Sequence, residues 1–199
     1  MLLENERKLI VEYGKKLIIS GLTTGTSGNL SVYNRSEELM AISPSSMDYF
    51  EVKPADVVVM DLQGTVVQGK QMPSVEHAMH RLFYAERQDV NAVVHTHALA
   101  CCTMAALHWS LPAAHYLVAL CGASEVPCSE YAPFATSELA GAALKAMGGG
   151  SAVFLANHGF VSVGSSLKTA FSLAEEIERC TEIYLRAKAV GAPKIISEG

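Results

Sequence analysis

Apolar positions recur along this chain at two different periods. Over residues 6–19, Leu9, Ile10, Tyr13, Leu17 and Ile18 fall at helical spacing, and Gly21 stands where a helix would stop. Residues 23–29 are a dense run of turn formers, after which the period shortens. Residues 30–33 and 39–42 predict strands paired across Asn34-Arg35-Ser36. Residues 57–62, turning at Gln63-Gly64 into 65–67, predict a second hairpin, so the early sheet is expected to be largely antiparallel.

From Pro73 the helical period returns. Val75, Met79, Leu82 and Phe83 fall at i, i+4, i+7 and i+8 behind the start signals Pro73 and Ser74, which puts Glu76 in the first turn of a helix. Residues 92–98 predict a strand, 99–107 a short buried helix, and 137–147 a helix that stops at Gly148-Gly149-Gly150. Strand-like residues 153–156 and 160–163 flank His158. The last long element, 167–190, carries Ser165 and Ser166 as caps and closes at Gly191 and Pro193. No repeat, low-complexity segment or linker divides the chain. The inference is one α/β (α+β) domain over residues 1–199, with a central mixed, largely antiparallel sheet covered by helices.

Composition narrows the function classes. A hydrophobic fraction of 50% against 18% charged argues for a folded core. A net charge of −5 without a long Lys/Arg block leaves no electrostatic footprint for nucleic acid or an anionic membrane. No apolar run approaches the ~20 residues that span a bilayer, and the start of the chain lacks a signal-peptide layout. A cytoplasmic location is expected. Cys101, Cys102, Cys121, Cys128 and Cys180 are odd in number and show no CxxC spacing, so reduced, mostly buried thiols are expected rather than disulfides or a thiolate metal site.

The chemistry concentrates in the histidines. His95-Thr96-His97 follows the apolar run Ala92-Val93-Val94, and side chains two apart on a strand project together. Such a pair is either two satisfied polar residues at a strand end or a pair of metal ligands. With His158 in Asn157-His158-Gly159, three imidazoles and an open fourth position describe a catalytic zinc, and Glu76 is a candidate for the remaining place. Alternatively, Glu76 is a first-turn acid favoured by the helix dipole. His77, His80, His108 and His115 read as ordinary core or surface residues. His80, one turn after Glu76, is also placed to orient that carboxylate.

Five segments, in order, resemble the class II aldolase and epimerase family, and most of all its L-fuculose-phosphate aldolase branch. They are Gly25-Thr26-Ser27-Gly28-Asn29-Leu30-Ser31, Pro73-Ser74-Val75-Glu76, Ala92-Val93-Val94-His95-Thr96-His97-Ala98, His115-Tyr116 and Asn157-His158-Gly159. The similarity runs over residues 9–189. It implies reversible, zinc-dependent cleavage of an L-fuculose 1-phosphate-like ketose 1-phosphate to dihydroxyacetone phosphate and a small aldehyde. One Zn2+ per subunit would be held by His95, His97 and His158, with Glu76 as resting fourth ligand and acid/base. An aldol step needs a cation against the enediolate oxygens and a mobile carboxylate, which agrees with those roles. A Schiff-base route would need a desolvated lysine, and Lys70, Lys145 and Lys168 stand in solvated contexts.

The resemblance also implies a homotetramer with sites at subunit interfaces, where Tyr116 would reach a neighbour's aldehyde oxygen; an ordinary half-buried tyrosine is the other reading. Phe134 matches a position lining the aldehyde side, or is a core phenylalanine. Asn29, Ser45, Ser46 and Ser74 match the phosphate-binding positions, or serve as turn and cap residues. The chain departs from the pattern where Ser45-Ser46 replaces Thr-Gly, Val75 replaces a serine, and Asn157 replaces a histidine. A decarboxylase or dehydratase on the same scaffold is the alternative. A ribulose-5-phosphate 4-epimerase-like isomerase is disfavoured because such enzymes carry aspartate at Glu76. An adducin-like module would be expected to lose the three histidines.

Overall fold

Helix α1 (Glu4–Ile19) turns Ile10, Tyr13 and Leu17 inward together with Arg7, whose guanidinium donates to backbone carbonyls such as Pro54 O, while Lys8 and Lys16 stay in solvent and each pair with a glutamate one turn earlier. It stops at Gly21, which adopts a left-handed φ of 69°. The computed structural model describes residues 1–197. After α1 comes a meander of β1 (Asn29–Asn34), β2 (Leu39–Ile42), β3 (Val58–Asp61) and β4 (Val66–Gln68), then α2 (His77–Glu86), β5 (Ala92–Thr96) and α3 (Leu99–Leu107). A two-stranded ribbon of β6 (Leu111–Pro112) and β7 (Glu125–Val126) encloses a 3₁₀ helix, Tyr116–Cys121. The chain ends with α4 (Ser137–Met147), β8 (Ala152–Leu155), β9 (Gly159–Gly164) and α5 (Leu167–Val190).

Seven strands form the main sheet in the order β4-β3-β2-β1-β5-β9-β8. All of its pairs are antiparallel, and the one parallel pairing among the described residues is the isolated bridge between Cys128 and Phe154. The largely antiparallel α+β arrangement is therefore as expected.

Alternation along the strands separates two apolar layers. Leu30, Ala92, Val94 and Phe160 face α1, α3 and α5, while Ile42, Val93, Val153 and Val161 face α2 and α4. Asn29, Ser31 and His95 share the second parity, so they look toward α2. No helix of the described residues is long and apolar enough to cross a membrane.

Several boundaries differ from the expected ones for local reasons. Glu76 lies outside the first turn of α2 and takes the N-cap position, with φ −92° and ψ 12°, in a turn that Ser74 closes by accepting the Glu76 N–H on Oγ at 3.3 Å and the His77 N–H on its carbonyl at 3.1 Å. The strand expected over 92–98 ends at Thr96, and the His97 N–H leaves the ladder to donate to Leu22 O at 3.2 Å. Residues 111–126, without a periodic signal, form the small ribbon and the 3₁₀ helix.

Candidate active site

Three elements bring the histidines together. His95 is the penultimate residue of β5, His97 follows the strand, and His158 occupies the tight turn between β8 and β9, where Leu155 pairs with Gly159. That turn needs a left-handed residue at position 157, and Asn157 supplies it with φ 54°. Asn157 is fixed there by its N–H to Ala105 O at 3.0 Å and by a 2.6 Å contact of Oδ1 with His108 Nε2.

The three rings meet edge to face, with centroids 4.8, 4.9 and 5.1 Å apart. Each of these residues offers a ligand atom within 4.8 Å of the others. His95 Nδ1 lies 3.0 Å from the Phe160 carbonyl, an acceptor, so Nδ1 carries a proton and Nε2 is the ring atom directed inward. His95 Nε2 and His97 Nε2 are 2.9 Å apart. Glu76 comes to the same centre from α2, its Oε2 lying 3.2 Å from His95 Nε2 and its Oε1 3.4 Å from His158 Nε2.

Burial opposes ionisation of Glu76, yet the charge and hydrogen bond of His95, the charge of His158 and the Asn29 amide hold its carboxyl well below the usual carboxylate range. Burial likewise opposes charge on His95, but the adjacent Glu76 carboxylate pushes its pKa up. Desolvation, then the charge of His95, pushes His97 and His158 down to about 4, which keeps both neutral and able to ligate near neutral pH. Glu76 Oε1 is buried without a hydrogen-bond partner. A carboxylate oxygen left unpaired beside three inward imidazoles is a donor set that suits zinc.

Above this centre lies a cavity of about 200 Å³ lined by Thr26, Ser27, Gly28, Asn29, Ser45, Ser46, Ser74, Val75, Glu76, His97 and Phe134. The expected Asn29, Ser45, Ser46 and Ser74 thus share one wall. Two backbone bonds join their loops, from Ser74 N to Ser43 O at 3.1 Å and from Ser45 N to Met72 O at 2.9 Å. Hydroxyls and turn N–H groups of this kind suit a phosphate dianion. Val75 is about half exposed at the rim, where it offers no hydroxyl.

Phe134 is 61% exposed, so it is no core residue; its ring stands edge-on to His158 at 6.1 Å between centroids. Tyr116 is 69% exposed on the 3₁₀ helix and does not line the cavity of its own chain. Lys70, Lys145 and Lys168 are all exposed, as expected, which leaves no desolvated amine among them. A larger cavity of about 770 Å³ near Asp89, Lys168 and Glu176 includes none of the histidines.

The sequence reading missed Thr26, Ser27 and Gly28 as wall residues. A signal existed at Gly28, whose φ is 72° and where an added Cβ would lie 2.8 Å from His95 O. It also missed Ser31 and Tyr84, which connect to the site through His80. His80 is fully buried, and it touches Asn29 rather than Glu76 itself.

Comparison with known proteins gives this geometry a context. The family model for the class II aldolase and adducin N-terminal domain matches residues 8–185. The 5-deoxy-D-ribulose 1-phosphate aldolase of Bacillus thuringiensis serovar kurstaki is 50% identical over 198 residues, covering 100% of this chain and 92% of its own. The L-fuculose phosphate aldolase of Escherichia coli K12 is 37% identical over 173 residues, covering 87% of this chain and 79% of its own. A solved L-fuculose 1-phosphate aldolase superposes with a TM-score of 0.95 at 44% identity, covering 98% of this chain and 91% of its own. With a family match over most of its length and relatives of this closeness, the chain belongs to the class II aldolase and adducin N-terminal domain family and is a lyase of the class II aldolase type.

Proposed function

We propose that this chain, as one domain over residues 1–199, is a zinc-dependent aldolase. It reversibly cleaves a ketose 1-phosphate with a terminal deoxy carbon into dihydroxyacetone phosphate and a small methyl-ended aldehyde. The observation that carries the reading is the convergence of His95, His97, His158 and Glu76 beside a cavity that Glu76 and His97 line together with hydroxyls and turn residues. His95, His97 and His158 would hold one zinc per subunit, with Glu76 beside them. Cleavage breaks the C3–C4 bond and leaves its electron pair on C3 and the C2 oxygen, and zinc, when bound, supplies the positive charge that offsets it.

The chain's own groups do the rest. Asn29, Ser45, Ser46 and Ser74 hold the phosphate and so fix the donor half of the sugar. Glu76, the one carboxylate lining the cavity among the described residues, carries the proton at C3 once its oxygens leave His95 and His158. Phe134 presents an apolar ring to the aldehyde half. The sugars in the names of the two relatives, 5-deoxyribulose and L-fuculose, both end in a methyl group, which such a ring suits. Tyr116 of a second copy would hand a proton to or from the aldehyde oxygen, in a cytoplasmic homotetramer with sites at its interfaces.

A panel of 5-deoxyribulose 1-phosphate, L-fuculose 1-phosphate, a ketose 1-phosphate with a terminal hydroxyl and the unphosphorylated ketoses tests the reading. The expected result is release of dihydroxyacetone phosphate from the two deoxy phosphates in proportion to bound zinc. Turnover with no phosphate dependence, or loss of water with the carbon chain left whole, would overturn it; release of carbon dioxide from a sugar acid 1-phosphate added to the panel would favour the decarboxylase alternative that the Val75 substitution leaves open.

A further inference from the structure

We propose that His80 is a positioning residue for this site, holding the Asn29 amide with its NH2 group toward Glu76 at the end of a one-directional hydrogen-bond relay from Tyr84. The contacts run from Tyr84 Oη to Ser31 Oγ at 2.5 Å, from Ser31 Oγ to His80 Nδ1 at 2.6 Å, from His80 Nε2 to Asn29 Oδ1 at 2.6 Å, and from Asn29 Nδ2 to Glu76 Oε2 at 2.8 Å. Tyr84, Ser31 and His80 are sealed from solvent and lie outside the cavity lining, so water cannot replace a lost partner in that part of the relay, while Asn29 and Glu76 meet the cavity.

The direction follows from proton inventory. Asn29 Nδ2 donates to the Glu76 carboxyl oxygen at 2.8 Å, so the amide presents its NH2 there and its carbonyl oxygen to His80. An oxygen at that distance requires Nε2–H. His80 is fully buried and its two ring contacts are a hydroxyl and an amide rather than a carboxylate; burial pushes its pKa down to about 3, so the ring is neutral with one proton, and Nδ1 must accept from Ser31. The Ser31 oxygen then accepts from Tyr84. With the opposite tautomer, two lone pairs would face each other at Asn29 or at Glu76. The ring is therefore a fixed switch setting rather than a passive core residue, and Asn29 and Glu76 inherit their orientation from it.

What Glu76 does chemically rests on the aldolase reading, whereas the relay stands on the contacts alone. The first measurement is the ring ¹⁵N shifts of His80 in selectively labelled, zinc-loaded protein. The expected result is a neutral ring protonated at Nε2; an Nδ1–H or doubly protonated ring would overturn the proposal.

The second measurement compares His80→Gln with His80→Asn. A glutamine amide can reach the place of Nε2 and donate to Asn29, while an asparagine amide reaches only the place of Nδ1. Each keeps one of the two ring contacts, so a purely structural role predicts equal effects. Positioning predicts zinc retained in both, with kcat and donor-carbon proton exchange near wild type in His80→Gln and lowered about 10–100-fold, at a KM within about threefold, in His80→Asn. Equal losses would overturn the proposal, and if either variant fails to fold the wild-type ring shifts decide. A wild type that releases no dihydroxyacetone phosphate from any ketose 1-phosphate would sink the aldolase reading and leave the tautomer test standing.

Discussion

Asn29 and His95 are direct partners on the ladder between β1 and β5, so the register that closes the middle of the sheet also sets the amide facing Glu76 beside the first candidate metal ligand. A one-residue slip would turn both side chains to the other face. The site is in this sense part of the sheet. Removal of His95 or His158 should empty it without dismantling the fold, whose two apolar layers lie elsewhere. In His95→Ala and His158→Ala, zinc affinity should fall by more than the ~100-fold typical of losing a supporting partner, while circular dichroism stays close to wild type. Elemental analysis after dialysis reads the metal, and full occupancy in both variants would falsify the ligand assignment.

Glu76→Gln separates metal holding from proton transfer. The amide keeps the volume and can still meet Asn29, but it cannot accept and return a proton. Zinc should remain near one per chain, and exchange of the donor-carbon proton with solvent should fall about 10²–10⁴-fold. Wild-type exchange in this variant would rule Glu76 out as the base.

Gly159 marks how closely the imidazoles are packed. A Cβ built there would lie 2.5 Å from Thr96 O, 2.8 Å from His97 Cδ2 and 3.3 Å from His95 Cε1. The first contact is backbone and cannot rotate away. Gly159→Ala should therefore cost about 1–3 kcal/mol of stability and weaken zinc binding at the same time, as thermal melts with and without the metal would record. A variant that melts like wild type and binds zinc equally well would mean that the turn relaxes without moving the rings.

The residues that converge at the candidate metal site stood out in the sequence because each sits at a change of period. His95 and His97 close an apolar strand, His158 fills a break between two strands, and Glu76 follows a proline and serine start signal. Helices 137–147 and 167–190 were legible to the residue for a related reason, since glycines or serines punctuate their apolar stripes, and 99–107 was legible as a short, almost wholly apolar run between polar segments. The relay was not legible. Ser31 looks like the polar half of an ordinary strand alternation, and Tyr84 looks like a core aromatic. Only the pairing of β1 with β5 under α2 joins them to His80, and no local pattern encodes that long-range contact. Residues 111–126 were equally silent, because a two-residue strand pair and a 3₁₀ helix are too short to show a period.

Burial of a neutral His80 gives the metal-free protein a defined acid sensitivity. The folded-state pKa, about 3, lies below the 6.5 of an exposed imidazole, so between these values the unfolded chain binds a proton that the native chain refuses. The stabilising contribution is whole above about pH 6.5 and is lost as pH falls toward 3, at no more than ~1.4 kcal/mol per pH unit. Urea unfolding of chelator-treated protein across this window should show the decline, and His80→Gln, which has nothing to protonate there, should show a shallower one. Equal slopes for the two proteins would mean that His80 becomes charged in the native state.

Tyr116 offers a test of assembly that no single-chain measurement can give. It projects from the 3₁₀ helix 69% exposed, and the cavity of its own chain does not include it. If it serves a neighbour's site, the two halves of each catalytic unit come from different copies, and damage to one half can be complemented by the other. Tyr116→Phe and Glu76→Gln should each be slow alone. Denatured together in equal amounts and refolded, they should recover activity, because about one site in four of a cyclic assembly then pairs an intact Glu76 with an intact Tyr116. Mixing without refolding should recover nothing if subunits do not exchange, which controls for additive residual rates. Were both residues supplied by one chain, every site would carry one lesion or the other, and the refolded mixture would stay at the average of its parents.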